Sequence, residues 1–391
     1  MRPPRLIMFA PAPVLRLDGG LRLDVKFVEG AARHCAEWPG PVTCVLREGD
    51  GDIPFGAEYA KDGLPFDLRL LARHEPVTRE HVEGADLVLA NADDASLLAL
   101  VPLARQAGAK IAYVIEYTLQ TRMQILALDR DRGPLRKLRG AVWLLQQERR
   151  RRRAMRQADA VQFNGYPAEE AYARLNGNTM TYLDGRLTPD LLATPADVEA
   201  RQRRLRSGAP LRLIHSGRLE PMKGAQDLLP VMRELARLGV TAELDIYGTG
   251  SESPAIAAAL PEFGGRVRLH DPVDFRTTLT RLNRESADLF LSCHRQSDPS
   301  CTYIEAMGGG LAVAGYANAM WRRMAEASQA GLHAPLGSVA ELAARIAALD
   351  KDREPLIAMG DRALGFASAH LFEDEFRRRM QHLRQLVPTA G

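Results

Sequence analysis

Apolar and polar positions along this chain fall into two series of short apolar runs separated by longer amphipathic stretches. The later series is the more regular. Apolar runs at residues 211–217 (LRLIHSG), 242–248 (AELDIYG), 266–273 (RVRLHDPV), 287–293 (ADLFLSC) and 311–316 (LAVAGY) read as buried strands. Residues 225–238, 276–286, 339–349 and 373–386 read as amphipathic helices. Strands alternating with helices in this way predict a parallel, doubly wound α/β sheet.

The first half alternates less cleanly. Residues 5–13 (RLIMFAPAP) predict a first strand, followed by Asp18, Gly19 and Gly20 and then a helix over 21–38. Residues 40–48, 67–71, 85–91 and 110–116 are further strand candidates. Between the two series lies the polar stretch TPADVEARQRRLRSGAP, which reads as a linker. The expected organisation is therefore a domain over residues 1–195, a linker over 196–209, a second domain over 210–370, and a terminal helix and tail over 371–391.

Two segments carry chemistry. In IHSGRLEPMKG, residues 214–224, a strand runs into a turn at Ser216 and Gly217, followed by Arg218 and Lys223. Two fixed positive charges on a glycine-containing loop after a strand suit a phosphorylated ligand, although a solvated basic loop has the same composition. In SDPSCTYIEAMGGG, residues 297–310, Asp298 is a candidate N-cap and Pro299 a candidate first helical residue. A helix starting there would direct free N–H groups of Ser300, Cys301 and Thr302 at an anion. Glu305, further into that helix, can accept hydrogen bonds from sugar hydroxyls.

Together these residues resemble the C-terminal domain of retaining GT-B glycosyltransferases, specifically glycosyltransferase family 4. The resemblance is specific for residues 211–316 and weak before residue 110. It implies a GT-B fold: two Rossmann-like parallel-sheet domains facing a cleft, with a C-terminal helix crossing back to the first. It implies that Arg218 and Lys223 grip the diphosphate of a nucleotide-sugar and that Glu305 binds its ribose. The family carries a further Glu eight positions earlier; here that position is Ser297, with Asp298 the nearest acid. Asp298 either takes that donor-sugar role with a one-residue shift or only caps the helix.

The resemblance further implies metal-independent hexosyl transfer with retention from a nucleotide-diphosphate sugar to a saccharide or lipid-linked acceptor, in cell-envelope glycan or glycolipid synthesis. It requires no cofactor and no metal, the donor being a co-substrate. A GT-B sugar-nucleotide epimerase and a non-catalytic nucleotide-sugar-binding protein are the alternatives.

The remaining candidates follow from strand ends. Gly19 and Gly20 would let backbone approach the donor phosphates, or form an ordinary turn. Glu116 ends its strand and can orient an acceptor hydroxyl or act as its base, or else pair with Arg122. His294 can hydrogen-bond sugar or phosphate if neutral; His215 is a weaker candidate. Gly248 and Val273 lie where a nucleotide base would sit. Asp184 and Arg186 read as a local ion pair. GTG at 248–250 lacks the third glycine of a dinucleotide fingerprint, since position 253 is Ser.

Composition narrows the class. The 391 residues include 46% hydrophobic and 26% charged positions, as in soluble globular proteins. No apolar run reaches the length of about 18 residues needed to span a bilayer. Arg far outnumbers Lys, a bias of GC-rich bacterial genomes. The four cysteines show no metal-ligand spacing, which suits a reducing cytoplasm. Residues 130–156 hold eleven Arg or Lys against Asp131 and Glu148, a local excess of nine positive charges in a chain of net charge +3. Leu135, Leu138, Val142 and Leu145 recur there at helical spacing beside Trp143. Such a helix suits an anionic membrane surface, predicting a cytoplasmic protein peripheral to the inner face of the membrane; a solvated helix face is the plainer alternative. Nucleic acid is not expected as a partner, because no base-reading motif accompanies the charge.

Overall fold

The computed structural model describes residues 2–51, 53, 56–129 and 131–387. Arg130, counted in the basic segment, and the last four residues of the expected tail lie outside them. The chain divides into two compact units. The first comprises residues 1–119, 134–182 and 373–391, and the second residues 120–133 and 183–372.

The first unit contains β1 (Leu6–Leu17), β2 (Gly20–Asp24), β3 (Val42–Glu48), β4 (Gly56–Tyr59), β5 (Asp67–Leu71), β6 (Leu87–Asn91), β7 (Lys110–Ile115), β8 (Ala160–Asn164) and β9 (Thr179–Tyr182). Its parallel sheet has the order β5-β3-β1-β6-β7-β8-β9. The helices met along this part of the chain are α1 (Val25–Glu37), α2 (Leu100–Gln106), α3 (Leu119–Leu128), α4 (Pro134–Gln157) and α5 (Tyr166–Tyr172); of these, α3 from Gln120 onward belongs to the second unit.

The N-terminal expectation needs correction here. β1 runs on to Leu17 and turns back antiparallel into β2, pairing Leu17 with Gly20, while β2 pairs with β4. Asp18-Gly19 is the two-residue hairpin turn, in which Gly19 takes φ +92°, a left-handed value that glycine adopts without strain. The helix starts only at Val25, where the Asp24 carboxylate accepts from the Phe27 amide.

The second unit contains α6 (Pro195–Arg206), α7 (Leu228–Arg237), α8 (Ser253–Ala259), α9 (Thr280–Glu285), α10 (Thr302–Gly308), α11 (Ala319–Ser328), α12 (Val339–Lys351) and α13 (Glu354–Ser368). Its strands are β10 (Leu211–Ser216), β11 (Ala242–Tyr247), β12 (Val267–His270), β13 (Leu289–Ser292), β14 (Ala312–Tyr316) and β15 (Gly331–Ala334). They form a parallel sheet in the order β12-β11-β10-β13-β14-β15.

The polar stretch expected as a linker is α6. Thr194 and Asp197 form a reciprocal capping box around Pro195, and Arg201 is buried. Its guanidinium donates to the carbonyls of Asn283, Arg284, Ala287, Gly309 and Gly310 at 2.7–2.9 Å, taking up backbone acceptors at and beyond the ends of α9 and α10. Finally, α14 (Phe372–Arg384) returns the chain to the first unit, where Met380 and Leu383 pack in one cluster with Leu6, Met8, Leu87 and Leu89.

Candidate functional site

In the second sheet, strand order reverses between β10 and β13. At such a switch point the loops leaving two adjacent parallel strands diverge to opposite faces and leave a crevice at their carboxyl ends. The loop after β10 carries Gly217, Arg218 and Lys223, and the loop after β13 carries His294 to Cys301. Residues distant in sequence are thus brought together, because the topology sets these two loops side by side. The amides of Arg295 and Gln296 both donate to the Met222 carbonyl, at 3.2 and 3.1 Å, and Arg295 clasps the Asp227 carboxylate with both arms.

Lys223 and Asp298 are both buried and form an ion pair across these loops. Asp298 therefore does not cap α10, as one of its two expected roles required. That helix begins at Thr302 with no side-chain cap among the described residues, and the carboxylate is paired instead with a cation, which offsets its burial. The second Asp298 oxygen, Oδ1, is buried without a hydrogen-bond partner among the described residues. Arg218 differs from Lys223: its side chain is exposed and has no ion-pair partner among the described residues.

Ser297, at the position of the missing Glu, is spent on structure. Its hydroxyl accepts from the Ala319 amide, its carbonyl accepts from Thr121 Oγ1, and its amide donates to Gln124 Oε1. Thr121 and Gln124 lie on α3, a segment with no sequence signal for this role.

Glu305 is only one turn into the seven-residue α10, because the helix starts at Thr302 rather than at Pro299 as expected. It is buried and accepts from Arg186 Nε at 3.0 Å. Arg186 holds Glu305, and its guanidinium lies 4.0 Å from the Phe275 ring centroid. Ser300 and Thr302 hydroxyls are 2.9 Å apart, and Cys301 is half-buried at the helix start.

His215 and His294 are buried behind this loop pair. Burial is the main cause that lowers His215 to a pKa of about 4. Burial, reinforced by the charges of Lys223 and Arg218, pushes His294 well below its usual value. Both are neutral at pH 7, the state in which His294 was expected to act. Its Nδ1 is buried and has no hydrogen-bond partner among the described residues.

Gly217 and Gly248 sit at the ends of β10 and β11. A Cβ on Gly248 would lie 1.9 Å from the Gly217 carbonyl oxygen, so only glycine fits; a Cβ on Gly217 would meet nothing within 4 Å. Beside them Tyr247 stacks on His270, centroids 4.5 Å apart, and Val273 is half-buried in the loop after β12.

The first-unit candidates form their own groups. Gly19 and Gly20 occupy the hairpin, where the Tyr59 carbonyl stands 3.0 Å from a Gly20 Cβ, so β-pairing accounts for the small residue without a ligand. Glu116 follows β7, and its Oε2 accepts from Asn164 Nδ2 at 3.3 Å. Asp93, after β6, binds the amides of Glu116 and Tyr117 at 2.9 and 3.0 Å. Asp93 and Asn164 were not singled out in the sequence; a polar residue at or just past the carboxyl end of an apolar strand is the signal that would have found them.

Residues 210–352 match the family model described as glycosyl transferases group 1. No curated protein sequence matches. Among solved structures, Anabaena HepE in complex with UDP is similar at TM-score 0.65 and 16% identity, covering 98% of this chain and 99% of that one. Sucrose-phosphate synthase from Thermosynechococcus elongatus is similar at TM-score 0.65 and 18% identity, with the same coverage. WaaG, a glycosyltransferase involved in lipopolysaccharide biosynthesis, is similar at TM-score 0.60 and 14% identity, covering 99% and 100%. The architecture is the GT-B fold.

Proposed function

We propose that this protein is a group 1 glycosyltransferase that moves a sugar from a nucleotide-diphosphate donor to a saccharide or lipid-linked acceptor. The observation that carries this reading is the placement of Arg218 and Lys223 on the loop after β10 and of Glu305 in α10, the helix that follows the loop after β13, at the β10–β13 switch point and inside the segment that matches the group 1 model. The fold's relative HepE was solved with UDP, with UDP and glucose, and with UDP-glucose. A uridine diphosphate sugar is therefore the donor class to test first.

In this reading Arg218 and Lys223 neutralise the diphosphate. Its negative charge grows as the glycosidic bond breaks, so cations placed there stabilise the transition state more than the ground state. Lys223 has three N–H donors and spends at least one on Asp298, which aims the ammonium while leaving donors for phosphate. Glu305, oriented by Arg186, accepts from the ribose hydroxyls. Asp298 Oδ1 and neutral His294 are the groups offered to the donor sugar, Gly217 and Gly248 leave room at the strand ends, and Ser300, Cys301, Thr302 and Val273 line the donor side. Glu116 is the acceptor-side carboxylate. Retention of configuration, hexosyl specificity, independence of metal, an envelope-glycan pathway and a cytoplasmic location peripheral to the membrane complete the proposal. No helix among the described residues is long and apolar enough to cross a membrane.

The test is a thermal-shift screen of nucleotide-sugars, because a ligand of the native state raises its apparent stability, followed by turnover with and without acceptor. Binding with acceptor-dependent release of nucleoside diphosphate supports transfer. Acceptor-independent turnover points to an epimerase, and binding without turnover to a non-catalytic protein.

A further inference from the structure

The apolar stripe of α4 is turned away from the protein. Leu135, Leu138, Val142 and Leu145 are 48–74% exposed, and with Trp143 they are five of the seven large hydrophobic side chains found exposed among the described residues. At 100° per residue they lie opposite the stripe that anchors the helix in the first unit, where Leu144, Glu148, Arg151 and Met155 are buried. Arg151 and Glu148 pair there, and Arg151 also donates to the Ala92 carbonyl, so this stripe is fixed and the helix cannot roll to hide the other. Continued toward the C-terminus, the outward stripe changes from apolar to basic: Arg149, Arg153 and Arg156 follow on successive turns. All three are exposed, and none has an ion-pair partner among the described residues.

One face of one helix thus holds an apolar half and a cationic half in line. A second copy of this chain is a poor occupant: an antiparallel two-fold contact would set the arginines of each copy against the apolar half of the other, and a parallel one would set arginine against arginine, so either buries unpaired charge. Nucleic acid would match the arginines but offers the leucines nothing. A bilayer with anionic headgroups satisfies both, taking the apolar side chains below the headgroups and the guanidinium groups at lipid phosphates.

We propose that α4 docks this protein on an anionic phospholipid bilayer, with Leu138, Val142 and Leu145 inserted and Arg149, Arg153 and Arg156 bound to lipid phosphates. This rests on the peripheral location proposed above and is independent of the transfer reaction.

Trp143 is half-exposed whereas Trp38 and Trp321 are buried, so a vesicle-induced blue shift reports on this helix. The experiment is flotation and tryptophan fluorescence of the full chain with phosphatidylcholine vesicles, with and without phosphatidylglycerol, at low and high salt. The expected result is binding and a blue shift with anionic vesicles only, weakened by salt and absent from the fluorescence of Trp143→Phe. Replacing Arg149, Arg153 and Arg156 with Gln should weaken binding roughly a hundredfold, at about fivefold per charge. Replacing Leu138, Val142 and Leu145 with Ser should remove the blue shift. Both variants should bind UDP as the parent does, so loss of lipid binding with UDP binding intact separates this proposal from the donor-site reading. Failure to float at low salt, equal binding to neutral vesicles, or undiminished binding by both triple variants would overturn it. Self-association that the serine variant abolishes would overturn it in favour of a second copy.

Discussion

Lys223 is neutralised by Asp298, a residue 75 positions away, within a buried ion pair that joins the loop after β10 to the loop after β13. Removing one member of such a pair strands the other charge in a poorly solvated place, typically at a cost of about 3 kcal/mol or more. Asp298→Ala should therefore lower the midpoint of thermal unfolding by several degrees. The double replacement of Lys223 and Asp298 by Met and Leu should recover most of that loss while remaining unable to bind UDP. A single mutant as stable as the parent would show that the pair is not formed in solution.

Arg218 allows binding to be separated from stability. It is exposed and unpaired among the described residues, so Arg218→Ala should leave the unfolding midpoint within about a degree of the parent. A charge-assisted hydrogen bond contributes about 1.5–3 kcal/mol, so the affinity for UDP should fall about 10- to 100-fold. Calorimetric titration reads this directly. Unchanged UDP affinity would remove Arg218 from the donor site.

Glu305 and Arg186 make a second pair whose disruption has two readouts. Glu305→Gln keeps the shape of the side chain but weakens its hold on Arg186 and on a ribose. UDP affinity should drop about tenfold, with a smaller loss for 2′-deoxy-UDP, which lacks one hydroxyl for the carboxylate to accept. An equal loss for both nucleotides would argue that Glu305 acts only on Arg186.

Acid should destabilise this protein before its carboxylates titrate. His34 and His215 are lowered from 6.5 to about 3 and about 4, chiefly by burial. Between pH 6.5 and those values the unfolded chain binds protons that the folded chain refuses, so stability falls as pH is lowered through this window. Each histidine then contributes a loss on the order of 1–2 kcal/mol at pH 5. Urea unfolding at pH 7.5 and pH 5 measures it, and His34→Phe should flatten the dependence of the first unit. A stability independent of pH across this range would mean that these rings protonate freely when folded.

Arg201 should be the most costly single replacement in α6. Its buried guanidinium satisfies five backbone carbonyls, and although burial lowers its pKa to about 10 it stays charged at neutral pH. Arg201→Met leaves those acceptors unpaired, and with about 1–3 kcal/mol at risk for each stranded group the second unit should unfold well below the first. Coincident, unshifted unfolding of the two units would contradict this.

Where an element is defined by its own side chains, the sequence was readable. The five apolar runs expected from residue 211 onward are β10 to β14: β13 and β14 are buried throughout and so are apolar along their length, while β11 shows instead as an alternation, with Glu243 and Asp245 on its less buried side. Arg218, Lys223 and Glu305 were likewise legible, since a cation pair after a glycine turn and an acid in a short helix are local patterns. The first strand was misjudged beyond residue 13. A hairpin over Asp18-Gly19 and a glycine turn into a helix look alike until the partner strand β4 is known, and β4 pairs with β2 from more than thirty residues away. The linker was misjudged because a charged helix whose main anchor is a buried arginine carries almost no apolar signature.

By itself the sequence determined the α/β alternation, the two series of strands, the basic amphipathic α4 and the residue types of the proposed diphosphate site, all of which depend on periodicity and local turn chemistry. Only the tertiary structure decided the partners: Asp298 with Lys223, Arg186 with Glu305, Ser297 with Thr121 and Gln124, and the outward turn of Leu135, Leu138, Val142 and Leu145. Which charge is buried, and therefore which must be paired, depends on what the rest of the chain packs around it, and no local window contains that information.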